Sequence, residues 1–288
     1  MNTRQFLVSS GIVVSLALVS GSAFATHQWS TYHIARTANP IDLKVVDSVS
    51  QAWQSEYDIA IAEWNDAVLT GAEILNMSTV AADDSGTTRK RCQMVSGQMR
   101  VCNANYGGQP WAGLATINVD SNGHITQGTA QMNDFYSYSP EFKRHVMCQE
   151  IGHVFGLGHT SEDGSSQKTC MDYSDDPGSI SPNKHDYEML KTMYTSHFDN
   201  YNSYDTSNTD VGGGGDGGGG SGCTAPPGKG CNKFGTGASD PGAAWGLPVQ
   251  VGLHHEVWVA PDGQGGYWVR HVYIAPDYRG KATSGHSD

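Results

Sequence analysis

Apolar residues fall at Val49, Trp53, Tyr57, Ala60, Ile61, Trp64 and Val68 in the segment that begins DSVSQAWQSEY. Steps of three or four place them on one stripe of a helix, and Asp47 or Ser48 can cap its start. This spacing predicts a long amphipathic helix lying on a sheet. Short strand-like runs flank it at residues 32–35 and 73–80. CQMVSGQMRVC reads as a hairpin turning at Ser96-Gly97 between Cys92 and Cys102. LATINV, from Leu114, is a further strand, and the polar run HITQGTAQMN after it suits an edge strand along residues 123–132. A second helix starts at Ser139-Pro140, with Ser as cap and Pro in the first turn, and carries EFKRHVMCQEIGHVF. Gly156 is placed to end it in a left-handed turn. A third helix runs from Ser181-Pro182 through HDYEMLKTMYTSH.

After Asn208 the composition collapses to VGGGGDGGGGSG, a flexible linker over 208–222. Beyond it, EVWVA and YWVRHVYIA flank PDGQGG, a hairpin too small for a large core of its own. At the other end, Arg4, a short apolar run and Ala23-Phe24-Ala25 have the layout of a secretory signal peptide cut near Ala25. The expected plan is therefore a leader over 1–25, a main domain over 26–207, the linker, and a small β-rich region over 223–288. Removing 25 of the 288 residues leaves enough chain for one full core plus that appendage. A net charge of −12 with no basic tract argues against nucleic acid or anionic membrane as partner. Six cysteines in an exported chain suggest disulfides, preferably between neighbours: Cys92 with Cys102, Cys148 with Cys170, Cys223 with Cys231. The expected location is secreted or periplasmic, and the expected state monomeric.

The chemistry concentrates in CQEIGHVFGLGHT, Cys148 onward. On a helix, Gln149 and His153 lie one turn apart on the same face, so both can reach one metal ion. Glu150 sits beside them, where a carboxylate can take a proton from water. Gly156 lets the chain turn back, and His159 then closes the site. Gln149 leaves three readings open. Its amide oxygen is a weak third ligand, or it does not ligate, or no metal binds.

The segment resembles the H-E-x-x-H-x-x-G-x-x-H signature of the metzincin zinc endopeptidases, with Gln149 in place of the first His. TCMDY places Met171 where that clan has its Met-turn. RVCNANYGG, WAGLATINV, CMDY and AAWG add to the likeness, which comes nearest to exported bacterial matrixin-like proteins. The resemblance implies an α+β fold: a twisted mixed sheet with an edge strand, three main helices and a Met-turn. It implies a zinc endopeptidase in which Gln149, His153 and His159 hold the metal and Glu150 is the general base. Tyr173 would complete the coordination or stabilise the oxyanion, against the plainer reading of a packed tyrosine. A protein or peptide substrate would bind extended, adding a strand to the edge near residues 123–132. The alternative is a catalytically impaired binding protein on the same frame, recognising protein or polysaccharide, with Trp245, Tyr267, Trp268, Trp258 and Tyr273 as an aromatic surface.

VDSNGH, ending at His124, offers either a calcium loop or a plain turn. His145 is too far along the helix to share an ion with His153 and reads as a surface or packing residue. His33, His124, His185, His197, His254, His255 and His271 have no convincing ligand spacing. The pair His254-His255 would point to opposite faces of a strand. No cysteine precedes the first helix, so a cysteine switch is excluded.

Overall fold

Residues 27–66, 73–81, 84–204 and 245–279 are described by a computed structural model. The leader, the Gly-rich linker and the Cys223–Cys231 pair lie outside these residues. Strand β1 (Ile41–Ser48) has Leu43 and Val45 in the core. It takes up Asp47 and Ser48, the expected helix cap, so helix α1 (Gln54–Asn65) starts later. Its face of Tyr57, Ala60, Ile61 and Trp64 is buried as the spacing predicts. Strand β2 (Leu75–Ala81) follows, then the short helix α2 (Gly86–Arg91).

The Cys92–Cys102 disulfide forms, yet the segment between is not a hairpin. Only its second arm is a strand, β3 (Met99–Ala104), and β3 lies parallel to β1. Strands β4 (Trp111–Val119) and β5 (Ile125–Asn133) are antiparallel neighbours. Residues 32–35 form no strand; His33 makes only an isolated bridge to His124.

Helix α3 (Pro140–Val154) starts as expected, with Ser139 Oγ accepting the Phe142 amide at 3.2 Å. It ends at Gly156, whose φ of 96° is left-handed and whose added Cβ would meet the Tyr32 carbonyl at 2.5 Å. Helix α4 (Lys184–Thr195) is capped by Asn183, not by Ser181, because Asn183 and Asp186 form a reciprocal capping box. After residue 244 come β6 (Leu247–Val251), β7 (His255–Pro261) and β8 (Tyr267–Ile274). The β7–β8 hairpin flanks PDGQGG as read from the sequence.

All eight strands belong to one mixed sheet, in the order β2-β1-β3-β5-β4-β8-β7-β6. Two consequences matter for function. The run expected at the edge, β5, has strand partners on both sides over residues 128–132, so most of it is closed to a further strand. The C-terminal strands do not stand apart: β8 runs antiparallel along β4, from Val119↔Tyr267 to Trp111↔Ile274. Strand alternation then sends Val269 and Tyr273 into the main core beside α3, and Val272 and Ile274 into a second cluster with Leu114, Trp111 and Trp258. Of the aromatics that the binding-protein alternative would use as a surface, Trp258 and Tyr273 are buried packing residues, and Tyr267 is half exposed.

Beneath α3 the chain is held by several independent ties. The Cys148–Cys170 disulfide joins the helix to the loop before Met171. Trp64 of α1 donates its indole N–H to the Cys148 carbonyl at 3.0 Å. Gly152 allows Met171 to pack against the helix, since a Cβ there would meet Met171 Sδ at 2.7 Å and Trp64 Cζ2 at 3.0 Å. Two effects of opposite sign therefore meet in Gly152→Ala. Helix propensity favours alanine by about 1 kcal/mol, while overpacking costs about 1–3 kcal/mol. Urea unfolding should show a net loss of stability, and a gain would mean that Met171 has room to retreat.

Candidate metal and catalytic centre

The last two turns of α3 carry Gln149, Glu150 and His153 into the interior, where all three are fully buried. The Gly156 turn brings His159 back, as the spacing requires: His153 Nε2 and His159 Nε2 are 3.0 Å apart. His153 Nδ1 lies 2.7 Å from the Leu157 carbonyl. A carbonyl only accepts, so Nδ1 carries the proton and Nε2 presents a lone pair. His159 Nδ1 faces the Glu162 carboxylate at 3.7 Å, which directs its Nε2 inward in the same way. Two nitrogens bound to one tetrahedral zinc would be roughly 3.3 Å apart, given bonds of about 2.0–2.1 Å. This pair fits that spacing.

Gln149 is tied to the turn beneath the helix. Its Nε2 donates to the carbonyls of Cys170 and Asp172, each at 2.9 Å. Its Oε1 is buried with no hydrogen-bond partner. Tyr173 is fully buried over His159, with ring centroids 4.2 Å apart, and its hydroxyl lies 3.3 Å from His271 Nε2. Burial pushes its phenol well above the ordinary value. It remains a neutral donor.

Sequence reasoning missed His271 and His255, which β8 and β7 bring to the site. His271 sits opposite Ala115 of β4. Its ring is 3.9 Å from that of His153 and 4.3 Å from that of His159. One nitrogen from each of His153, His159 and His271 falls within 4.8 Å of the others, a group able to hold a metal ion. His159, Glu162 and His255 form an adjoining group of the same kind. Ring spacing within one helix could not reveal either, because both depend on a strand pairing far away in sequence. Trp29 was also missed; it packs edge-on against His153 and His271, at 5.6 and 5.4 Å.

Elsewhere, His33, His124 and His197 surround Asp199, with ring-nitrogen to carboxylate distances of 3.7, 3.3 and 3.6 Å. His33, His197 and Asp199 could hold an ion. The calcium loop reading of VDSNGH finds its carboxylate otherwise engaged: Asp120 accepts the Asn122 and His124 amides and the Tyr201 hydroxyl, at 2.8, 2.9 and 2.7 Å. These bonds alone account for a turn here. His145 is a packing residue, stacked on Phe142 and edge-on to Tyr273, with burial lowering its pKa to about 4.

Burial also lowers His153 to about 3, and it drives His159 and His271 well below the ordinary range, helped by mutual repulsion. All three are neutral, as metal ligands must be. Gln149 Oε1, both Glu150 oxygens, both His255 ring nitrogens and His271 Nδ1 are buried here without hydrogen-bond partners. Orphaned groups cost about 1–3 kcal/mol each, so so many in one place mark a site built for a polar or cationic guest. The donor set of imidazoles with a carboxyl beside them suits zinc.

Glu150 fits where it does because β4 has glycine opposite it. A Cβ on Gly113 would overlap Glu150 Oε1 and come within 2.7 Å of Val146 Cγ1. Burial raises the Glu150 pKa well above its ordinary 4.5, against a weaker pull from the nearby Ala115 backbone, which does not reach hydrogen-bond geometry. A raised carboxyl favours the fold below that ordinary value and loses the advantage as pH rises towards the folded value. Glu150→Gln in metal-free protein should therefore gain stability relative to the parent between about pH 4.5 and about pH 8. The gain should grow with pH across that interval. Equal effects at both ends, in urea titrations, would mean that the carboxyl is solvated after all.

Comparison with protein-family models, curated proteins and solved structures finds no match for this chain.

Proposed function

We propose that this protein is an exported zinc-dependent endopeptidase with Glu150 as general base. The observation that carries the reading is a buried, unpartnered carboxyl placed next to two converging neutral histidines, His153 and His159. A site built only to hold a metal has no use for that carboxyl, which costs stability where it stands. Zinc held by these residues would supply Lewis-acid polarisation of a peptide carbonyl and of water. Glu150, with its raised pKa, is suited to take a proton from the attacking water and pass it to the departing amine as the C–N bond breaks. Tyr173, a neutral buried donor beside the histidines, is placed to hydrogen-bond the developing oxyanion.

The substrate class, protein or peptide, belongs to this proposal. Its mode of binding differs from the sequence expectation, because β5 is paired on both sides over residues 128–132 and β4 carries β8 on its outer side. Among the described strands the open edges are β2 and β6. Export is supported by the two disulfides, which suit an oxidising compartment. No helix of the described residues is long and apolar enough to cross a membrane. The covered edge of β4 is also what favours the second reading, a binding protein that keeps the frame without the turnover.

Purified mature protein supplied with zinc should cleave members of a diverse peptide mixture, read by mass spectrometry. Glu150→Ala should cut at least about 100-fold more slowly while keeping its zinc. No cleavage by a folded, zinc-loaded parent would overturn the peptidase reading in favour of the binding protein.

A further inference from the structure

We infer that His271, on the C-terminal strand β8, is the third protein ligand of the metal, in the role that the helix motif would give to residue 149. This rests on the metal-site reading above and makes it more specific. Gln149 is the weaker candidate: two hydrogen bonds from Nε2 fix its amide against the carbonyls of Cys170 and Asp172, and the Oε1 left over, buried and unpartnered, is a neutral amide oxygen and a poorer zinc donor than an imidazole nitrogen. Those bonds make it a clamp between α3 and the Met171 turn. His271 has no such duty. Its Nδ1 is buried without a partner, its Nε2 has only the 3.3 Å contact with Tyr173, and its ring lies against both other histidines. It is the residue that completes a three-histidine group with His153 and His159. Three neutral nitrogens with a fourth position left open is the ligand count of a catalytic zinc site.

Register secures the assignment. Ala115 lies opposite His271 and Gly113 opposite Tyr273, so the small residues of β4 leave space on this face for the imidazole and for Glu150. Trp29 packs edge-on against the His271 ring. A substrate-facing role for His271 would leave the metal with two histidines. A core-packing role would leave two ring nitrogens poorly satisfied where an apolar residue would serve better.

The test uses the full mature chain and zinc itself, with binding read by competition against a chromophoric chelator and coordination by X-ray absorption. The parent should bind one zinc with three imidazoles around it, and His271→Ala should show two. Its affinity should fall by more than the roughly 10–100-fold that loss of an outer hydrogen-bond partner produces. Gln149→Ala should keep three imidazoles and lose less affinity than His271→Ala. Two imidazoles in the parent, or three in a folded His271→Ala protein, would overturn the assignment while leaving the metal site intact. Parent-like binding by His153→Ala, or no binding by the parent, would instead remove the metal site itself. If His271→Ala does not fold, His255→Ala decides: three imidazoles retained there keep the assignment, and two transfer it to His255.

Discussion

The antiparallel pairing of β8 with β4 is the constraint on which the rest of this structure depends. It extends the sheet, covers the outer side of β4, and delivers side chains to two cores on opposite faces. Its register has no slack. A slip of one residue would turn His271 away from His153 and put Arg270 or Val272 in its place. It would also carry Tyr273 out of the main core and Val272 into it. The hydrophobic pattern of one strand thus fixes the position of a polar group in another part of the molecule.

A second constraint is the way glycines make room for the groups that pack around the site. Gly113 accommodates Glu150, Gly152 accommodates Met171, and Gly156 passes under the Tyr32 carbonyl. At each of the three, an added Cβ would collide with a neighbour, and for Gly113 and Gly152 that neighbour belongs to the site or to its floor. The cysteine pair 148–170 and the Gln149 clamp fasten that floor from two adjacent residues of the helix. Rigidity here has a chemical purpose, since a carboxyl held without hydrogen bonds would otherwise swing out to water.

Local signals made much of this legible. The Ser139-Pro140 start, the Gly156 stop and the His153–His159 approach are all written within about twenty residues, and the structure reproduces each. The apolar stripe of α1 was equally plain, although Asp47 and Ser48 imitate a helix cap and in fact end a strand. What sequence could not show was strand order. β5 reads as an edge because it is polar, and only the pairing partners on both sides reveal otherwise. His271 and His255 carry no ligand spacing, because their neighbours are supplied by sheet geometry and not by a helical turn. The one available signal was alternation along YWVRHVYI, in which His271 shares a face with Val269 and Tyr273, both core residues.

The linear placement of these groups has a consequence for how the molecule comes to be. Trp29 and His271 bracket almost the whole described chain, and they meet over one histidine. A chain emerging from its start can form α1, α3 and five strands long before β8 exists. During that interval the buried carboxyl, the two helix-side imidazoles and the bare flank of β4 all face solvent, unfinished. Contacts of such long range form late and slowly. On the proposed reading, the metal centre is completed only when the last described strand arrives.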